Sequence, residues 1–196
     1  MILISNSCLG AFTYQSMDLP FSSPFIWAQT CHEDILTVAK RFNTIDWYNI
    51  KISLKTNNLF KNFIVITVDN ILSINFFHYR QVFTPKKQVI SGINVIGNDV
   101  YKYATEAYFR RVGRMLEDSG TPLFLISSDD PIMPTYDTYA NELAHISPSI
   151  FIQLSDDKQL NVPHVIYGNF GHSKDTIINI KNNLMSEIID HVKQLQ

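Results

Sequence analysis

The fold class is decided by the apolar run PLFLIS at residues 122–127. A continuous apolar run of this length is typical of a strand that is buried on both faces of a sheet. Two similar runs follow at residues 149–154 and 162–167, and a helical pattern at residues 136–145 lies between the first two. Short buried strands that alternate with helices indicate parallel βαβ units.

The remaining segments extend this pattern toward both ends of the chain. Further strands are predicted at residues 1–5, 48–54, 63–68 and 71–79, and further helices at residues 8–17, 30–42, 98–118 and 177–195. Thr30 and Glu33 have the spacing of a capping box, and Asp69-Asn70 predicts a turn between two antiparallel strands. We therefore predict an α/β fold: a mixed, mainly parallel sheet with helices on both faces.

Composition narrows the class of protein. A chain of 196 residues predicts one domain, residues 1–196. A net charge of −2 argues against nucleic-acid binding, while a charged fraction of only 17% favours a homodimer or a membrane-proximal assembly partner. Two cysteines, no leader peptide and no long apolar span predict a cytoplasmic location.

Cys8 is the residue best placed for chemistry. It follows the first predicted strand and begins the first predicted helix, where backbone N–H groups and the helix dipole favour a thiolate. The same N–H groups could hold an oxyanion, and the strand end is where open α/β sheets bind ligands. The alternative is a buried structural cysteine. Cys31, in the first turn of a core helix, is expected to be structural.

A thiol nucleophile needs a base, and His78 at the end of a predicted strand is the first candidate. A hydrogen-bonded, half-buried histidine is the alternative reading, and His145 or His172 could serve instead. His32 and His191 lie on helices at positions expected to be exposed. Asp129 follows a strand and could orient the histidine, or it could cap the next segment.

Three arginines, Arg110, Arg111 and Arg114, cluster on one predicted helix. They could bind a phosphate or carboxylate, or form a solvated face that pairs with Asp118 and Glu106. Nucleotide-binding glycine motifs, paired C-x-x-C, H-E-x-x-H and G-x-S-x-G are missing from the sequence. Their absence disfavours nicotinamide, nucleoside-triphosphate and zinc enzymes, and no metal site is expected.

Several motifs together resemble one bacterial family, which is called domain of unknown function 1919 and is associated with exopolysaccharide or capsule biosynthesis. They are ISNSCLG at residues 4–10, Tyr14-Gln15, SPFI at residues 23–26, His78-Tyr79 and RRxxR at residues 110–114. Ser7 stands where the family often has a second asparagine, and Leu9 stands where it often has a tryptophan. PFIW at residues 24–27 is similar to a segment of papain-like cysteine peptidases. A further similarity is to capsule acetyltransferases that use coenzyme A.

The resemblance implies an enzyme of surface-polysaccharide assembly that passes an acyl group through a Cys8 thioester to a sugar hydroxyl. His78 would act as base and Asp129 would orient it, with coenzyme A as the acyl donor. The substrate, a sugar or nucleotide sugar, would contact Asn6, Tyr14, Tyr79, Arg110, Arg111 and Arg114. A papain-like hydrolase and a non-catalytic binding module of a capsule-assembly complex are the alternatives.

Overall fold

The computed structural model describes residues 1–55, 63–76, 99–128, 136–153, 160–168 and 176–196. Within these residues the strands are β1 (Leu3–Ser5), β2 (Ile50–Lys55), β3 (Phe63–Val68), β4 (Leu72–Phe76), β5 (Leu123–Ser127), β6 (Ser149–Gln153) and β7 (Val165–Tyr167). The α-helices are α1 (Leu9–Ser16), α2 (His32–Arg41), α3 (Asp99–Glu117), α4 (Tyr136–Ile146) and α5 (Thr176–Gln194). A short 3-10 helix, Phe42–Thr44, follows α2.

Four of the strands form a parallel sheet in the order β1-β5-β6-β7. Their buried side chains alternate between the two faces of the sheet, as the two-residue period of a strand requires. Leu3 and Leu125 belong to the core on one face, and Ile4 and Phe124 belong to the core on the other. Because both faces are covered, the strands read as continuous apolar runs in the sequence.

Helices cover the two faces of this sheet unequally. Apolar residues of α1 and α5 pack with Leu3 and Leu125 on one face. The opposite face packs against apolar residues of α2, α3 and α4 and against the second sheet, from which Ile64 and Ile66 enter the same core. Of the helices described, none combines the length and the apolar character that crossing a membrane needs.

The antiparallel sheet has the order β2-β3-β4. Asp69 and Asn70 form the tight turn between β3 and β4 with φ of 51° and 55°, and the Ile71 N–H donates to the Val68 carbonyl at 3.0 Å. Two consecutive positive φ angles make the hairpin turn whose twist matches that of the strands. The α/β class is confirmed, and the predicted meander forms a second sheet instead of extending the parallel one.

The start of α2 differs from the predicted capping box. The helix begins at His32, and Cys31 is the N-cap residue without a side-chain capping bond. The Thr30 N–H donates instead to the Asn6 carbonyl at 3.2 Å. This tie to the end of β1 delays the helix by two residues, so the capping-box prediction is wrong. The single-domain assignment of residues 1–196 stays a prediction.

Candidate active site at the carboxyl edge of the parallel sheet

The chain leaves the adjacent strands β1 and β5 in opposite directions. Helix α1, which follows β1, packs on one face of the sheet, and α4, which follows β5, packs on the other. In open α/β sheets, the crevice at such a reversal is the preferred place for ligands. We call this place the carboxyl edge; its described residues are Asn6, Ser7, Cys8, Thr30, Cys31, His32, Ser127 and Ser128.

Asn6 joins the ends of β1 and β5. Its Nδ2 donates to the Ser127 carbonyl at 2.8 Å, and its Oδ1 accepts the Ser127 N–H at 3.0 Å. The Ser127 hydroxyl also donates to Asn6 Oδ1 at 3.4 Å and to the Ser7 hydroxyl at 3.2 Å. Asn6 is 3% exposed, so these bonds replace water for a buried amide and hold the two strand ends together.

His32, the first residue of α2, contacts the side-chain amide of Asn6 at this edge. Its Nε2 lies 3.4 Å from Asn6 Nδ2. The imidazole is half-buried, and its ring lies edge-on to Tyr139 at 4.8 Å and to Tyr136 at 5.6 Å between ring centroids. The expectation that His32 is exposed is therefore wrong, and so is that for His191, which is also half-buried.

Two buried hydroxyls beside His32 have no hydrogen-bond partner among the residues that the structure describes. They are Thr30 Oγ1 and the Tyr139 hydroxyl, on side chains that are 3% and 8% exposed. Burial raises the pKa of Tyr139, which keeps its phenol protonated and able to donate. Unsatisfied buried hydroxyls cost free energy, so a cluster of them indicates a place where a ligand could be bound.

Cys8 lies where the sequence predicts it. It is the N-cap residue of α1, is half-buried, and its carbonyl accepts the N–H groups of Ala11 at 3.1 Å and Phe12 at 3.3 Å. The Leu9 N–H donates to the Ser7 hydroxyl at 3.4 Å, so a side chain already contacts one amide of this first turn. The sulfur therefore lies at a helix N-terminus, next to the strand end.

Cys31 is the second thiol at this edge. The residue as a whole is exposed. Partial desolvation of its sulfur, reinforced by the Asp34 carboxylate, raises the pKa of Cys31 to about 11. At neutral pH this thiol is protonated and therefore a poor nucleophile.

Tyr14 and the arginines do not meet at this edge in the structure. Tyr14 is 1% exposed, and its hydroxyl bonds the Leu3 N–H at 2.9 Å, the Met1 carbonyl at 3.0 Å and the Ser22 hydroxyl at 2.9 Å. Burial raises the pKa of this phenol. These contacts tie α1 to the start of β1, and a substrate contact by Tyr14 stays a prediction.

The arginines of α3 hold the loop between α1 and α2. Arg111 donates to the Ile26 carbonyl at 3.0 Å and Arg114 donates to the Phe21 carbonyl at 3.1 Å. Arg111 is buried, whereas Arg110 and Arg114 are exposed. Both acceptors are backbone carbonyls, so these bonds are not the predicted ion pairs with Asp118 and Glu106. Anion binding stays a prediction for all three.

The other predicted site residues, namely His78, Tyr79, Asp129 and the alternative base His172, lie outside the described residues. Among the residues that are described, no group of three or more histidine, cysteine or acidic side chains is arranged to hold a metal ion. Sequence reasoning missed His32 as a site residue. The available signal was its place at the start of a helix beside Cys31, and its contact with Asn6 is visible only in three dimensions.

Residues 1–88 match the family model described as a domain of unknown function (DUF1919). The first part of the chain is thus similar to that family, and the resemblance carried by its N-terminal motifs is confirmed over these residues. The match includes Cys8, His32 and His78, and it ends before the arginines of α3. No curated protein sequence matches the chain.

Proposed function

We propose that this protein is a thiol-dependent acyltransferase of surface-polysaccharide assembly, with Cys8 as its nucleophile. The observation that carries the proposal is the position of Cys8 at the N-terminus of α1, at the point where β1 and β5 diverge. The acyl group would pass from a thioester donor to Cys8 and then to a sugar hydroxyl. The class of acceptor comes from the family resemblance.

The position of the sulfur suits the formation of a thioester. A helix N-terminus favours a thiolate over a thiol because its N–H groups and the helix dipole stabilise negative charge. The same environment favours the oxyanion of a tetrahedral intermediate, and each well-placed donor contributes roughly 3 kcal/mol in comparable sites. Coenzyme A would be the leaving group of the first step, and the exposed Arg110 is a candidate contact for its phosphates.

Acyl loading tests the proposal directly. The protein is incubated with acetyl coenzyme A, and intact mass spectrometry follows the gain of one acyl group that hydroxylamine removes. We expect loading in the parent protein and in Cys31→Ser, and none in Cys8→Ala. Loss of loading in Cys31→Ser with retention in Cys8→Ala would contradict the assignment of Cys8.

The same experiment separates the alternatives. Turnover of simple esters with water as acceptor, without transfer to sugars, would identify a papain-like hydrolase that uses the same thiol. A Cys8 that takes no acyl group from thioesters or esters and alkylates at the rate of an ordinary thiol would indicate a binding module, and the enzymatic proposal would then fail.

A further inference from the structure

We propose that the surroundings of Tyr139 at the carboxyl edge bind an uncharged sugar. We call this place the acceptor subsite and define it by Thr30, His32, Tyr136 and Tyr139. Its role in holding the acyl acceptor rests on the proposed function, whereas sugar binding can be measured without any acyl donor. The proposal selects a plain sugar over a nucleotide sugar as the acceptor.

Three aromatic rings come together where α2 and α4 begin. The His32 imidazole lies 4.8 Å from the Tyr139 ring and 5.6 Å from the Tyr136 ring, measured between centroids. The two tyrosine rings stack with their centroids 6.3 Å apart, and their spacing of three residues places them on one face of α4. The rings supply an apolar wall of the kind that lines binding sites for small molecules.

Two hydroxyls of the acceptor subsite are buried without a bond that satisfies them. Thr30 Oγ1 and the Tyr139 hydroxyl have no hydrogen-bond partner among the residues that the structure describes, and their side chains are 3% and 8% exposed. Each hydroxyl can donate one hydrogen bond and accept others. A buried and unsatisfied hydroxyl costs free energy, which a bond to a ligand recovers. The hydroxyl groups of a sugar complement both, because they also donate and accept.

The Tyr139 hydroxyl lies close to the N-terminus of α2. Burial raises the pKa of Tyr139, and the ionisable groups of Tyr136, Cys31 and Glu33 raise it further. Such electrostatic effects fall off with distance, so the hydroxyl is near Cys31, which is the N-cap residue of α2. Thr30 precedes Cys31 in the chain, and the two buried hydroxyls therefore belong to the same helix end.

The first turns of α2 and α4 determine the charge that a ligand can carry. Glu33 and Asp34 lie in the first turn of α2, and Asp137 lies in the first turn of α4. These carboxylates offset the positive ends of the two helices, and the described residues of the carboxyl edge include no lysine or arginine. A phosphate on the ligand would therefore be repelled. The first turn of α1, at Cys8, contains no acidic residue, so the negative charge of acyl transfer is favoured there instead.

Asn6 connects the acceptor subsite with the segment that carries the nucleophile. Its carbonyl accepts the Thr30 N–H at 3.2 Å, and its Nδ2 lies 3.4 Å from His32 Nε2. Cys8 is two residues farther along the chain, a span of at most about 7 Å. In the transfer step, the acceptor oxygen bonds to the acyl carbon while the bond from that carbon to the Cys8 sulfur breaks. The proton of the acceptor hydroxyl passes to the released sulfur.

The test is sugar binding by the intact chain, measured by ligand-observed NMR titration in the absence of an acyl donor. The probes are the methyl glycosides of glucose, galactose and N-acetylglucosamine, together with the 1-phosphates of the same sugars. We expect a methyl glycoside to bind and its 1-phosphate to bind at least about tenfold more weakly, because the carboxylates repel it. Thr30→Val and Tyr139→Phe should each raise the Kd of the glycoside about fivefold through the loss of one hydrogen bond.

Thr37→Val is the matched control, because the hydroxyl of Thr37 already bonds the Glu33 carbonyl at 2.9 Å within α2; its Kd should equal that of the parent. The proposal is overturned if none of the methyl glycosides binds, if the 1-phosphate binds equally well, or if Thr30→Val and Tyr139→Phe both leave the Kd unchanged. Acyl loading of the parent protein separates the two proposals. Sugar binding without loading keeps the acceptor subsite and rejects the acyltransferase, while loading without sugar binding does the reverse.

Discussion

The two ends of the parallel sheet differ in how their polar side chains are hydrogen-bonded. Where the strands begin, polar side chains are paired locally: His164 contacts His191, and Asp118 accepts hydrogen bonds from the amino group of Met1 and the Gly120 N–H, which lower the pKa of its carboxyl group. Where the strands end, Asn6 spans two strands and unsatisfied hydroxyls remain beside it. The polar groups at the first end are thus satisfied within the fold, whereas the second end combines a buried link between two strands with hydroxyls available for a ligand.

The largest expected effect on stability comes from Asn6→Ala. The substitution removes the two hydrogen bonds that Asn6 makes with the backbone of the buried Ser127, and each lost bond to a buried group costs about 1–3 kcal/mol. We expect a loss of about 3 kcal/mol in the free energy of unfolding, measured by urea denaturation. Asn141→Ala is the control, since that exposed side chain bonds the Asp137 carbonyl within the same helix and its loss should cost under about 0.5 kcal/mol.

Equal losses in the two variants would show that Asn6 contributes no more to the fold than an exposed asparagine does. The same outcome would mean that the strand ends are held by the sheet alone, and that Asn6 need not be kept for the fold.

Gly10→Ala should have the next largest effect. A Cβ at residue 10 would lie 2.9 Å from the Ser5 Cβ, so α1 must move away from the end of β1. Overpacking of this kind costs about 1–3 kcal/mol, and the helical preference for alanine returns up to about 1 kcal/mol. We expect a net loss of about 1.5 kcal/mol in thermal or chemical unfolding.

Gly113→Ala should change the free energy of unfolding in the opposite direction in the same assay. A Cβ at this position in α3 meets nothing within 4 Å, so only the helical preference remains and stability should rise by about 0.8 kcal/mol. A stabilised Gly10→Ala protein would show that α1 does not pack closely on β1, and Cys8 would then lie elsewhere than the structure places it.

The elements of the fold could be predicted because their signals are local. Strand β3 has the predicted bounds, and α3, α4 and α5 begin and end within about two residues of the predictions. The separation into two sheets could not be predicted, because pairing is non-local and the apolar pattern of β4 does not specify its neighbour. The capping box failed for a related reason: the Thr30 N–H bonds a residue 24 positions earlier in the chain.

The candidate site was predictable only in part. Cys8 could be found from the order of strand and helix, since both the strand end and the helix start are local features. The contacts of Asn6 with Ser127, at a sequence separation of 121 residues, exist only after the sheet has formed. His32 was hidden for the same reason, because the helical pattern of α2 gives the direction of a side chain but not the neighbouring element that covers it.

The smallest effect on stability, and the most informative for function, is expected from Tyr139→Phe. Its buried hydroxyl has no hydrogen-bond partner in the described part of the chain, so its removal should change the free energy of unfolding by no more than about 0.5 kcal/mol. Tyr14→Phe removes an equally buried hydroxyl that is hydrogen-bonded to Leu3, Met1 and Ser22, and it should cost about 1–2 kcal/mol. Calorimetry measures the free energy of unfolding of the two variants, and so compares a hydrogen-bonded buried hydroxyl with one that has no partner among the described residues.

If the Tyr139 hydroxyl binds a ligand, the order of the two variants is reversed in a functional assay. Tyr139→Phe should then lose more activity than Tyr14→Phe. Acyl transfer to a sugar acceptor should fall in Tyr139→Phe, while acyl loading of Cys8 is unchanged, because loading does not involve the acceptor. Tyr14→Phe should keep both activities in the fraction that is folded. A Tyr139→Phe protein that is as stable and as active as the parent would show that this buried hydroxyl serves neither the fold nor a ligand at the carboxyl edge.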